Sequence, residues 1–215
     1  MSQKEQWRIK KEQLVKDYHN ANLNAKKGGV VFTGSSLMEM FPLEKWIAQL
    51  PDPKPIVYNR AVGGYKTEDL LPIIDICAIE LMPAKVFINI GTNDLSDSSI
   101  PLSIIMENYG KILTAIETAL PDTVIYLLAY YPVNSEAASE EMRECLKIRT
   151  NEKIAAANQA VKELAAQHGH RYIDISANLK DSLGRLKAEY TIEGMHINEE
   201  GYKAIFPDLM KYVLE

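Results

Sequence analysis

The chain has 215 residues, 47% hydrophobic and 25% charged, with a formal net charge of −5, which suits one domain with a sizeable core. No Lys/Arg cluster stands out, which argues against nucleic acid or an anionic membrane as the main partner. Residues 1–27 are charged throughout with no apolar signal core, and no later segment reaches the length of a membrane span, so the expected location is the cytoplasm.

Residues 3–24 read as a helix with a loose apolar stripe (Trp7, Ile9, Leu14, Val15, Tyr18, Leu23). Val30-Val31-Phe32-Thr33 is a buried-strand run ending at Gly34, followed by helical turns around Met38–Phe41 and Trp46–Leu50. Three prolines in Pro51–Pro55 mark a loop. Ile56-Val57-Tyr58 is the second strand, ended by Asn59 and the Gly63-Gly64 pair, and Thr67 is the expected N-cap of a helix reaching Glu80. Lys85–Ile90 is the third strand, 102–120 a helix, and Thr123–Ala129 a fourth strand apolar enough to be buried on both faces. Residues 137–168 form one long or two joined helices, Tyr172–Ile175 is the fifth strand, and a last helix starts after Asn198. Five strands alternating with helices predict a parallel sheet covered on both faces, a three-layer α/β/α sandwich; right-handed crossovers leave few topologies, of which the flavodoxin-like strand order 2-1-3-4-5 is the one chosen. The whole chain, 1–215, is expected to be a single domain, with 1–27 a helical extension packed on it. The first helix and the 137–168 segment are where a homodimer face or a lid would form, and their charge pattern suits a plain solvated surface equally.

In such a sheet, ligands bind beyond the carboxyl ends of the strands. Ser35 and Ser36 follow strand one, Gly63-Gly64 strand two, and Gly91-Thr92-Asn93-Asp94 strand three. If these strands are neighbours, the loops share one rim. A serine at a strand-to-helix turn exposes its hydroxyl beside free N–H groups, although either serine also serves as an ordinary N-cap. Gly64 lets a backbone N–H approach a ligand, or simply fills a tight turn. Asn93 can donate its amide, or sit as a turn residue, and Asp94 suits a bracing role. Of four histidines, His196 is the best base, with Glu193 three residues before it to hold Nδ1, unless a backbone carbonyl does so. His19 reads as surface. His168 and His170 flank Gly169 at a helix end, where a favourable terminal charge outweighs a metal site. Cys77 and Cys145 belong to no Cys-x-x-Cys pattern and read as reduced, buried or half-buried thiols. Met38, Met40, Phe41 and Tyr65 lie near the rim and read as core before lipid lining.

Taken together and in order, these segments resemble the four motif blocks of the SGNH, or GDSL-type, hydrolases. Gly34-Ser35-Ser36-Leu37 is similar to the Gly-Asp-Ser-Leu block, with Ser35 in place of the acid. Asn59–Gly64 resembles the second block, Gly91–Asp94 is a full match to the third, and Glu193-Gly194-Met195-His196 resembles the Asp-x-x-His block with glutamate in place of aspartate. The resemblance implies a flavodoxin-like fold, Ser36 as nucleophile, His196 as base and Glu193 as its partner. It also implies an oxyanion hole from the Ser36 and Gly64 N–H groups and the Asn93 amide, with no metal or cofactor.

The expected function is a serine esterase that cleaves a short-chain, acetyl-type ester of a small molecule or sugar through an acyl-enzyme. The alternatives are a thioesterase or lysophospholipase acting on longer acyl chains, and a non-catalytic flavodoxin-like binding protein. The last lacks the usual phosphate-binding glycine motifs and leaves His196 without a purpose.

Overall fold

In the computed structural model, which describes residues 1–215, five short apolar runs form strands β1 (Val30–Gly34), β2 (Val57–Asn59), β3 (Lys85–Asn89), β4 (Val124–Leu128) and β5 (Arg171–Ile173). They make one parallel sheet in the order β2-β1-β3-β4-β5, the expected flavodoxin-like order. The helices are α1 (Gln3–Leu23), α2 (Ser36–Glu39), α3 (Leu43–Ala48), α4 (Thr67–Leu70), α5 (Ile74–Cys77), α6 (Leu102–Ala119), α7 (Glu140–Ile148), α8 (Asn151–Gln167) and α9 (Glu199–Leu214).

Strand residues alternate between two cores because successive side chains point to opposite faces. Val31, Val86, Ile88, Ile125 and Leu127 pack under α1 and α4 to α8. Phe32, Phe87, Tyr126 and Leu128 pack under α2, α3 and α9. On that second face Phe32, Phe87 and Tyr126 are in register across three strands, and their rings stack at 4.8 and 4.4 Å between centroids. The ladder fixes the registry of β1 against β3, and so the relative height of the two loops that leave them.

Two local expectations need correction. Thr67 does not cap its helix: Lys66 occupies the N-cap, and Thr67 gives both its N–H and its hydroxyl to Asp94. That helix does not reach Glu80 unbroken. Pro72 has no N–H to donate, and the chain passes through a tighter 3₁₀ turn between α4 and α5, then another after Ala78. The 137–168 segment resolves into two helices, since Arg149 leaves the helical region (φ −87, ψ 83) and Thr150 caps α8 by accepting from Lys153 N–H at 3.3 Å.

Helix α1 is moored along one side. Val15 is buried, Tyr18 donates its hydroxyl to Ala61 O at 2.8 Å, and Asn22 donates to Ile76 O at 2.8 Å while accepting from Arg60 Nε at 2.9 Å. No helix is long and apolar enough to cross a membrane.

Candidate active site

The serine loop is set by Gly34. Its φ is +142°, and a Cβ there would lie 2.0 Å from Asn89 O, so only glycine lets β1 turn while still paired with β3. Ser35 then takes the N-cap position of α2, its hydroxyl buried and without a partner. Ser36 is the first helical residue. Its hydroxyl is therefore not spent on capping, and its N–H, in the first turn, has no intrahelical acceptor.

The histidine loop is a tight return tied to the segment that follows β4. Gly194 N–H donates to Thr191 Oγ1 at 2.8 Å, and Thr191 donates its hydroxyl to His196 O at 2.9 Å. Asn134 N–H donates to Gly194 O at 2.7 Å, and Asn198 caps α9 by accepting from Gly201 N–H at 3.0 Å. The loop so held brings His196 Nε2 to 3.0 Å from Ser36 Oγ. On the other side of the ring, Nδ1 lies 2.6 Å from Glu193 Oε1, and the same oxygen accepts His196 N–H at 3.1 Å. The extra methylene of glutamate is taken up by folding the carboxylate back over its own loop, and the carboxylate rather than a backbone carbonyl stands at Nδ1. The side chains of His196 and Glu193 are 25% and 16% exposed. With Nδ1–H donating to Glu193, Nε2 is left to accept from the Ser36 hydroxyl, a continuous path for one proton.

The second and third loops face this pair. Gly64 has φ +72° and is exposed, and the neighbouring Gly63 N–H donates to Glu39 Oε2. Neither the Ser36 nor the Gly64 N–H meets a backbone acceptor. Asn93 gives one amide hydrogen to Tyr65 O at 3.0 Å, which ties the third loop to the second and leaves the other hydrogen available. Its Oδ1 accepts from Arg149 Nη2 at 2.9 Å. Asp94 braces the same joint: it is buried, accepts Thr67 N–H at 3.1 Å and the Thr67 hydroxyl at 2.6 Å, and burial raises its pKa above the usual carboxylate value.

Arg149 escaped the sequence reading. It is only 3% exposed and forms no ion pair. Nε donates to Ser96 Oγ at 2.7 Å and Nη1 points to Met195 Sδ. Burial pushes its pKa down to about 10, which leaves the guanidinium charged at neutral pH. A lone arginine between two helical patterns carries no signal of this; only the fold delivers it to Asn93.

The cleft over Ser36, Asn93, His196 and Gly64 has a volume of about 1100 Å³, and its far wall is α1, with Trp7, Lys11 and Leu14. Of the rim hydrophobics, Met38 and Phe41 are core residues, while Met40 lines the cleft. The remaining histidines lie elsewhere. His19 pairs with Glu80 at 2.6 Å, and His168 and His170 both contact Glu117 Oε1, at 2.8 and 2.7 Å. No group of three or more His, Cys, Asp or Glu side chains is placed to hold a metal ion. Cys77 is buried, with its thiol pushed up to about 12 by burial, and Cys145 is half-buried with Sγ 3.2 Å from Ser96 Oγ.

Residues 33–204 match the model of the GDSL-like Lipase/Acylhydrolase family, leaving α1 outside the match. No curated protein matches the chain by sequence. Among solved structures, a protein named for platelet activating factor, from Streptococcus pneumonia, is 32% identical over 97% of this chain and 95% of its own, with a TM-score of 0.85. An acylhydrolase-named protein from Bacteroides fragilis is 22% identical over 92% of this chain and 94% of its own, with a TM-score of 0.75. An acetylxylan esterase from Geobacillus stearothermophilus, solved as a catalytic mutant, is 14% identical over 88% and 95%, with a TM-score of 0.65; these last two share the fold. On its family match, the chain belongs to the GDSL-like lipase/acylhydrolase family and is a carboxylic ester hydrolase.

Proposed function

We propose that the protein is a serine esterase that removes a short acyl group, acetyl in the simplest case, from a small molecule or sugar through an acyl-enzyme. The observation that carries this reading is the unbroken chain Ser36 Oγ–His196 Nε2–Glu193 at 3.0 and 2.6 Å. Ser36 Oγ attacks the ester carbonyl while His196 Nε2 takes its proton, and Glu193 holds the imidazolium that forms. The oxyanion receives the N–H groups of Ser36 and Gly64 and the free amide hydrogen of Asn93. Arg149, donating to Asn93 Oδ1, fixes which way that amide points and polarises its N–H toward the site. His196 then protonates the leaving alcohol, and water repeats the sequence on the acyl-enzyme.

A short acyl group is consistent with the acetylxylan esterase among the structural neighbours, and the cleft of about 1100 Å³ then houses the alcohol portion. The apolar side chains of Trp7, Leu14 and Met40 on the same cleft favour a second reading, in which a longer acyl chain lies there. A panel of p-nitrophenyl esters from acetate to decanoate separates the two. A steep fall in kcat/KM beyond acetate supports the first; a rise toward the long chains replaces it with the second. Ser36→Ala serves as control, and near-normal turnover by that variant sinks the serine mechanism in either form.

A further inference from the structure

The wall of the cleft formed by α1 takes no part in the proposed chemistry, yet it places charge beside it. Lys4, Trp7, Lys11 and Leu14 follow one another at helical spacing, so they share a face of α1, and that face closes the cleft opposite Ser36 and His196. Lys11 is half-buried. Its Nζ lies 5.1 Å from the centroid of the Tyr65 ring and 2.8 Å from where a Cβ on Gly64 would sit. An ammonium group therefore stands at the mouth of the proposed oxyanion hole.

The acids around Lys11 are committed elsewhere. Glu12 pairs with Arg8 at 2.9 Å, Asp17 accepts from Gln13 at 2.9 Å, Asp69 accepts Lys66 N–H at 2.9 Å, and Glu39 accepts Gly63 N–H. Lys11 itself makes no salt bridge or hydrogen bond, and Lys10 on the same helix lies over Trp7 at 5.4 Å. A cation that has lost part of its hydration without gaining a counter-charge is a ready partner for an anion that enters the cleft. The chain as a whole carries a net charge of −5, so this wall runs against the average of the molecule.

We infer that α1 is a specificity wall and that Lys11 binds an anionic oxygen group, carboxylate or phosphate, carried by the ester substrate. Trp7, 54% exposed, offers a flat apolar surface beside it for the body of the same molecule. The inference rests on the proposed hydrolysis at Ser36. It also locates the selectivity outside the residues that match the family model, since that match begins at residue 33.

Three acetyl esters of similar size test it: 4-acetoxybenzoate, 4-acetoxyphenyl phosphate and the neutral methyl 4-acetoxybenzoate. Each is compared with itself between the wild-type chain and Lys11→Met, so differences in leaving-group acidity cancel. The expected result is a loss of about fivefold to tenfold in kcat/KM for the anionic esters, carried by KM, with the neutral ester essentially unchanged. Lys11→Arg retains the preference, and raised ionic strength erodes it in the wild type. The two anionic esters separate carboxylate from phosphate as the better ligand. Lys11→Gln repeats the measurement with a polar side chain, and melting temperatures verify that all three variants are folded. Equal losses on all three esters, or a wild-type enzyme blind to ester charge, overturn the inference. Ser36→Ala reports on the underlying mechanism separately: if it retains turnover, the serine reading falls, whatever Lys11 does.

Discussion

The rim of the sheet and the helix that overhangs it are built in opposite ways. On the rim, Ser36, Gly64 and Asn93 lie within a few residues of a strand end, and His196 and Glu193 sit in a hydrogen-bonded loop just before α9. A Cβ at Gly34 would lie 2.0 Å from Asn89 O, so only glycine fits there, Thr191 knots the histidine loop, and Asp94 and Asn93 bolt the third loop to the second. On α1, by contrast, the groups that face the cleft are long side chains on an otherwise exposed helix, and Lys11 has no hydrogen-bonded partner at all. Rigid placement suits a reaction, where a small error in position costs rate. Unpaired, longer side chains suit recognition, where the ligand supplies the missing partner. Substitutions on the rim should therefore lower kcat, and substitutions on α1 should act on KM.

The largest effect is expected at the proton path. Ser36→Ala and His196→Ala should each lower kcat by about 10⁶, and Glu193→Ala by about 10⁴, because the imidazole retains its contact with serine but loses its orientation. Single-turnover kinetics with p-nitrophenyl acetate measure all three. If Glu193→Ala equals wild type, the 2.6 Å contact to Nδ1 has no catalytic meaning.

Next comes the oxyanion side. Asn93→Ala should cost about 10²–10³ in kcat with little change in KM. Arg149→Met should cost about tenfold, the worth of one hydrogen bond from a charged donor. The two should not add: in the Asn93→Ala background, Arg149→Met should change kcat little, because Arg149 acts through that amide. A full additional tenfold in the double variant would mean that Arg149 supports the fold or the Met195 loop instead.

The sequence carried the fold well, because the β-strands are short runs rich in β-formers, three of them ending at Gly34, Asn59 and Asn89. Alternation and handedness left few strand orders, and the one chosen among them, 2-1-3-4-5, is the order the sheet has. Ser36, Gly64, Asn93 and His196 stood out through the resemblance of their segments to the family's motif blocks, and the fold brings all four to one cleft. What was illegible lies between elements. The helix expected from Thr67 to Glu80 rests on a cap signal at its start, which says nothing of its interior, and the geometry of Pro72 and Ala78 breaks it. Thr67 looked like a cap because caps are local, while its partner Asp94 stands 27 residues away. Arg149 and Lys11 are the same case in sharper form. Nothing near either residue in sequence names Asn93 or Gly64; α7 and α1 carry them there through packing that a single sequence does not express.

The smallest effect is expected at Trp7, and it bears most directly on the contrast between rim and wall. Its ring is more than half exposed, sits under Lys10 and lines the cleft that also holds the serine–histidine pair. Removing it deletes apolar contact area with a bound alcohol while leaving the positions of Ser36 and His196 unchanged. Trp7→Ala should therefore raise KM for an aryl acetate about threefold to tenfold, the worth of about 1 kcal/mol of lost contact, with kcat and melting temperature nearly unchanged. Two outcomes contradict the division of labour. If kcat falls with KM, α1 helps position the reacting groups and is part of the catalytic machinery. If neither moves, the substrate does not reach α1, and the selectivity assigned to Lys11 loses the neighbour that would hold the substrate against it.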